Sequence, residues 1–84
     1  YFEGWRACRV GESGLDIELN KGTICSLMAF GEVRNVTLKG VEFELSSEVL
    51  NSGTRGVGNQ SICKEVSVSH EGGDLLFIWE ANAL

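Results

Sequence analysis

Apolar and polar residues alternate in short bursts along this chain. Leu15, Ile17 and Leu19 alternate with Asp16, Glu18 and Asn20, and Val41, Phe43 and Leu45 alternate with Glu42 and Glu44. A period of two marks a strand with one buried face and one wet face. Residues 4–10 predict a first strand, and residues 33–38 and 62–69 predict two more, the last with Val66 and Val68 inward. Residues 23–30 and 74–79 are apolar on both faces, as strands in the middle of a sheet are. Residues 46–51 fit a short strand or a helical turn equally well. Residues 53–59, with three glycines, read as an irregular edge strand or a binding loop. The punctuation between these runs is glycine: Gly11-Glu12-Ser13-Gly14, Gly31-Glu32 and Lys39-Gly40 as turns, Asn20-Lys21-Gly22 and Glu71-Gly72-Gly73 as hairpins. No stretch of ten or more residues carries a helical stripe. The pattern predicts an all-β fold, a sandwich or a barrel, with about eight or nine short strands.

Composition narrows this further. Eighty-four residues make one domain, and a core of that size supplies roughly 3–5 kcal/mol of net stability. The chain is therefore expected to belong to a larger protein, an oligomer or both, and its start at Tyr1 rather than Met points the same way. Residues 1–10 are expected to hold the end of an interdomain linker (Tyr1–Glu3) and the first strand, and residues 11–84 the sandwich. Eleven glycines and no proline mean that turns must be made with Gly, Asn and Ser.

Charge and chemistry exclude several classes. A net charge of −5 with seven scattered Lys and Arg does not suit phosphate contacts, so no nucleic-acid partner is expected. No apolar run approaches the roughly 20 residues that span a bilayer, so no membrane partner is expected either. Cys8, Cys25 and Cys63 are odd in number and far apart, which reads as free thiols in a reducing cytosol. With His70 they make a poor zinc set. His70 beside a turn, without a nucleophile elbow, reads as a turn histidine rather than a catalytic one. Glu42 and Glu44 on the outward side of an alternating run read as solvated. No phosphate-binding loop and no clustered aspartates are present, so the chain alone carries no recognisable catalytic centre. Phe77 and Trp79 share a face and read as core before ligand platform. The run Gly53-Thr54-Arg55-Gly56-Val57-Gly58-Asn59 has too few side chains to build a core, and reads as a place where backbone closely approaches either a ligand or another strand.

Five blocks occur in a telling order: Gly22-Thr23-Ile24-Cys25-Ser26-Leu27, then residues 36–45, then residues 53–59, then Val66-Ser67-Val68, then Leu75-Leu76-Phe77. Together, over about residues 14–79, they resemble the C-terminal, vitamin-B1-binding domain of thiamine pyrophosphokinases. The resemblance implies that the fold is an antiparallel β-sandwich of jelly-roll-like type, with about eight or nine short strands, behind a preceding α/β domain, in a cytosolic homodimer that moves a pyrophosphoryl group from ATP to the thiamine hydroxyl. ATP and Mg2+ would be held by that preceding domain, with no cofactor in this one. It also implies a thiamine site in which Asn59 meets the pyrimidine edge, Phe77 offers an aromatic face, and Gly56, Val57 and Gly58 shape the loop. A cation–π contact to the thiazolium is worth about 0.5–2 kcal/mol. Three positions depart from the family pattern: Gly58 where serine usually stands, Ala29 where proline does, and Leu38 in place of a second threonine. The alternative reading is a non-catalytic β-sandwich interaction or assembly module that has lost its pocket, and Gly58 speaks for it.

Overall fold

The computed structural model describes residues 4–80, apart from the side chains of residues 53–58. The expected linker at Tyr1–Glu3 lies outside the described residues. Eight strands are formed: β1 (Trp5–Arg9), β2 (Leu15–Glu18), β3 (Ile24–Phe30), β4 (Val33–Lys39), β5 (Leu45–Leu50), β6 (Gly53–Gln60), β7 (Glu65–Glu71) and β8 (Asp74–Glu80). They make two four-stranded antiparallel sheets, sheet A in the order β1-β8-β3-β6 and sheet B in the order β2-β7-β4-β5. The pairs β1·β8, β2·β7, β3·β6 and β4·β5 are nested, as if one long hairpin had been rolled up. Rolling then adds β3·β8 and β4·β7. This is a jelly-roll order, in keeping with the expected antiparallel sandwich.

The alternation sorts the core. On β3, Cys25, Leu27 and Ala29 are buried, and on β8 so are Leu75 and Phe77; β4 adds Val33, Val36 and Leu38, and β7 adds Val66 and Val68. The intervening apolar residues Ile24, Met28, Leu76 and Ile78 are half-buried on the outer side of sheet A, with Phe30 exposed. Both strands predicted to be central are so, β3 between β8 and β6, and β8 between β1 and β3. On β4 the simple alternation slips: Val33 and Val36, three apart, are both buried. Asn35, with φ 55°, sits between them where the register shifts, and such a bulge moves the phase of a strand by one residue.

Two expected hairpins are corrected. Asn20-Lys21-Gly22 joins β2 to β3, and Glu71-Gly72-Gly73 joins β7 to β8, yet each connection passes between the sheets. Positive φ at Gly22 (90°), Gly72 (70°) and Gly73 (104°) reverses the chain sharply. A sharp reversal does not fix which neighbour the next strand pairs with. Only β4 and β5 are paired and consecutive. The expected strand over residues 41–45 is also displaced: β5 begins at Leu45 and takes in the ambiguous residues up to Leu50, while Val41 makes a single bridge to Ser61. Phe43 accordingly projects from the surface, 64% exposed.

Candidate functional site

The glycine-rich run forms the edge strand β6 of sheet A, and its register contains a bulge. Cys25 faces Asn59 and Leu27 faces Arg55. Between those pairs β3 has one residue, Ser26, and β6 has three: Gly56, Val57 and Gly58. The three residues singled out as loop-shaping are thus the extra length of a bulged edge strand. Bulges of this kind re-aim backbone at sheet edges and beside binding sites. Unpaired N–H and C=O groups on such an edge are a resource for a ligand.

Asn59 closes the bulge. Its side chain is fully buried, and its amide is spent on the neighbouring loop. Oδ1 accepts from the Phe43 N–H at 3.0 Å and from the Gln60 N–H at 3.1 Å, while Nδ2 donates to the Phe43 carbonyl at 3.0 Å. A side-chain amide carries both a donor and an acceptor, so Asn59 offers residue 43 the two bonds that a strand neighbour would. Backbone bonds extend the same contact, Glu42 N–H to Gln60 O and Ile62 N–H to Gly40 O, each 2.9 Å. Loop 40–44 leaves sheet B and lies along residues 59–62 in this way. Gly40 is obligatory there: its φ is +87°, and a Cβ would stand 2.2 Å from the Glu65 carbonyl oxygen. Phe43 and Ile62, 64% and 46% exposed, are the apolar side chains this corner presents to solvent.

The two side chains expected to meet the ligand directly, Phe77 and Asn59, are both buried within this chain. Phe77 is 0% exposed and stacks on Trp79 with centroids 5.6 Å apart, so within this chain its ring has no open face. It faces Leu27 across β3, one strand away from the bulge, and supports that strand from the core. The Asn59 amide is likewise engaged within the chain, by the Phe43 backbone and the Gln60 N–H. Of the two glutamates, Glu44 accepts the Gly40 N–H at 2.9 Å and Glu42 is exposed, so they are not poised as an acid–base pair. His70 is not the exposed turn residue expected: it is 8% exposed, with Nε2 2.8 Å from the Val10 carbonyl. All three cysteines are free. Burial pushes the Cys25 thiol up to about 11, which makes it inert at neutral pH.

One polar knot was not foreseen. Thr23 and Ser61 are buried and converge on the turn that precedes β3. The Ser61 hydroxyl accepts from the Thr23 N–H at 3.0 Å and donates to the Asn20 carbonyl at 2.7 Å, which also accepts from the Thr23 hydroxyl at 2.5 Å. The Ser61 N–H bonds back to the Thr23 carbonyl at 2.9 Å. Every group satisfies another, which is what makes a buried polar cluster tolerable. The one available signal was Thr23 directly after the glycine turn; Ser61, 38 residues on, gave none. Among the described residues, no group of three or more His, Cys, Asp or Glu could hold a metal, and no helix is long and apolar enough to cross a membrane.

Comparison with known proteins puts this geometry in context. A search of curated proteins gives no match. Among solved structures, the thiamine pyrophosphokinase of Bacillus subtilis superposes with a TM-score of 0.81 at 19% identity, covering 95% of this chain and 39% of that one. A thiamin pyrophosphokinase family protein of Enterococcus faecalis gives 0.72 at 16% identity, covering 93% and 36%. The thiamin pyrophosphokinase of Geobacillus thermodenitrificans gives 0.69 at 17%, covering 94% and 37%. The chain spans under two fifths of each of these proteins, and at such identities the likeness establishes the fold. Residues 13–73 match the family model described as thiamin pyrophosphokinase, vitamin B1 binding domain. The chain belongs to that family of vitamin-B1-binding domains.

Proposed function

We propose that this chain serves as the thiamine-binding part of a cytosolic thiamine pyrophosphokinase. The observation that carries this reading is the match over residues 13–73, which takes in both the bulge and the loop that Asn59 clamps. The thiamine rings would rest against the backbone of Gly56, Val57 and Gly58, near Phe43. Asn59 and Phe77 would fix those positions from within. In the whole protein a preceding α/β domain would hold ATP and Mg2+, since this chain's described residues do not supply a metal set. That domain and a second subunit would complete the pocket, in a homodimer. The apolar outer side of sheet A, with Ile24, Met28, Phe30, Leu76 and Ile78, offers a surface for such contacts.

Within that assembly the chain's contribution is positional. In-line transfer of a pyrophosphoryl group asks for an alcohol held still and aimed, and such orientation is a large share of the catalytic effect. A sheet edge with a clamped loop would do this, while the transfer itself would fall to the preceding domain.

Titrating thiamine into the protein with its preceding domain, while following the melting temperature, tests the reading. At a hundred times Kd, binding adds about 2.7 kcal/mol of stability. An absent shift at millimolar thiamine would reject it in favour of the interaction module, which the engaged amide of Asn59 and the glycine at 58 also fit. The upstream sequence provides a second check: an α/β segment with clustered aspartates is expected there.

A further inference from the structure

Ser61, two residues beyond Asn59, is 1% exposed and directs every polar group it has at the turn before β3. Its N–H donates to the Thr23 carbonyl at 2.9 Å, and its carbonyl accepts from the Gly22 N–H at 2.8 Å. Its hydroxyl accepts from the Thr23 N–H at 3.0 Å and donates to the Asn20 carbonyl at 2.7 Å. The residues on either side of it face the other way. The Gln60 carbonyl accepts from Glu42, the Ile62 N–H donates to Gly40, and the Asn59 amide takes both backbone groups of Phe43. In antiparallel pairing, successive residues of an extended segment bond to opposite neighbours. Residues 59–62 therefore lie between turn 20–23 and loop 40–44 as a middle strand lies in a sheet, with the Val41–Ser61 bridge at the centre.

Both rims of the candidate site hang on this segment. One rim is loop 40–44, which carries the exposed Phe43. The other is the bulge of Gly56, Val57 and Gly58, which opens against β3 just before the Cys25–Asn59 pair. The spacing of the two rims depends on where residues 59–62 sit relative to the start of β3. The β3·β6 ladder ends at Ile24 and Gln60, and beyond it the Ser61 hydroxyl adds its two bonds to the two made by the Ser61 backbone. We propose that Ser61 is a positioning residue for the thiamine site: it sets the distance between the Phe43 loop and the glycine bulge, and its burial keeps it from touching the ligand itself. This deepens the proposed function and rests on it.

The test uses the full-length protein, with thiamine affinity read by calorimetry and amide exchange read without ligand. Ser61→Ala should weaken thiamine about five- to tenfold. It should also speed exchange at Glu42 and Ile62, whose N–H groups join the segment to the loop. Ser61→Cys fills the same space with a weakly bonding thiol; it should move both readings the same way by less, and it serves if the alanine variant does not fold. Val10→Ala is the control, buried beside Leu75, which pairs with Ala29 at the far end of β3. It lowers stability away from the corner and should leave thiamine affinity within about twofold. Lost stability alone would move both variants alike, so the split between them marks positioning. An unchanged dissociation constant in Ser61→Ala, an equal loss in Val10→Ala, or unchanged exchange at Glu42 and Ile62 would overturn the proposal. A wild type that binds no thiamine overturns the functional reading as well, whereas wild-type binding with an indifferent Ser61→Ala overturns this proposal alone.

Discussion

Replacing Asn59 by alanine tests the corner on which the candidate site is built. The substitution removes three hydrogen bonds, two of them to the backbone of Phe43. Each is worth about 0.5–1.5 kcal/mol net, which gives roughly 1.5–4.5 kcal/mol for the set. Water can reach loop 40–44, whose Phe43 is 64% exposed, and will re-solvate part of what is lost. We expect about 2–3 kcal/mol. Against the roughly 3–5 kcal/mol that a core of this size supplies, the variant should be left marginally folded and lose roughly 10–20 °C in Tm. Urea unfolding followed by the fluorescence of Trp5 and Trp79 measures the loss. Amide exchange measures its location, because protection should vanish at Phe43 and Gln60 first. Asn59→Asp keeps both acceptor bonds but sets a second oxygen against the Phe43 carbonyl, and should be no more stable than alanine. The reasoning is refuted if Asn59→Ala costs under about 0.5 kcal/mol, or if Phe43 exchange is unchanged. Both effects are expected without thiamine, which separates them from any effect on binding.

Three further predictions follow from other positions. Gly40→Ala combines φ +87° with a backbone oxygen 2.2 Å from the new Cβ, whereas Gly22→Ala has φ +90° and open space. Gly22→Ala should cost only the left-handed penalty of about 1–2 kcal/mol, and Gly40→Ala should cost clearly more or abolish folding; equal urea midpoints would contradict this. Thiol labelling of the native protein should modify exposed Cys63 first and leave Cys25 to global unfolding. Because the folded Cys25 thiol titrates near 11, above its unfolded value, its stabilising effect is intact below the ordinary thiol range near 9 and falls as pH rises through 11. The loss is on the order of 2 kcal/mol, and Cys25→Ser should remove that part of the alkaline slope. Gly58→Ser restores the hydroxyl usual in the family and, under the proposed function, should tighten thiamine binding by roughly two- to tenfold in calorimetry; no change would remove residue 58 from the site.

The parts of the fold that depend on side-chain period were legible. Val66 and Val68 could be assigned inward because alternation reports facing directly, and Phe77 could be assigned to the core as a terminal-strand aromatic, whereas β3, apolar on both faces, left its inward side open. Pairing partners were not legible, because Gly22 and Gly72-Gly73 encode a reversal and a reversal serves a hairpin or a crossover alike. The run from Val41 to Leu45 misled for a related reason. It has the strand period, but the single Val41–Ser61 bridge and the Asn59 clamp hold it to a corner, not to a sheet. At the candidate site, the glycines at 56 and 58 announced irregular backbone correctly. The burial of Asn59 could not be read, since an amide looks the same in sequence whether it faces a ligand or its own chain.

The nested pairing has a kinetic consequence. Only β4 and β5 can meet by closing a short loop; each later pair encloses all the earlier ones, until Cys8 meets Phe77. Loop closure costs entropy before distant contacts repay it. The order of assembly is therefore written into the topology: β4·β5 first, then β3·β6 with its bulge, and the strand beside the N-terminus last. Destabilising changes at the β4·β5 turn should slow folding, while those on β1 should mainly hasten unfolding. A chevron plot showing the reverse would mean that the roll does not close from its innermost turn outward. If it does, the edge that carries Gly56, Val57 and Gly58 is complete before the molecule is.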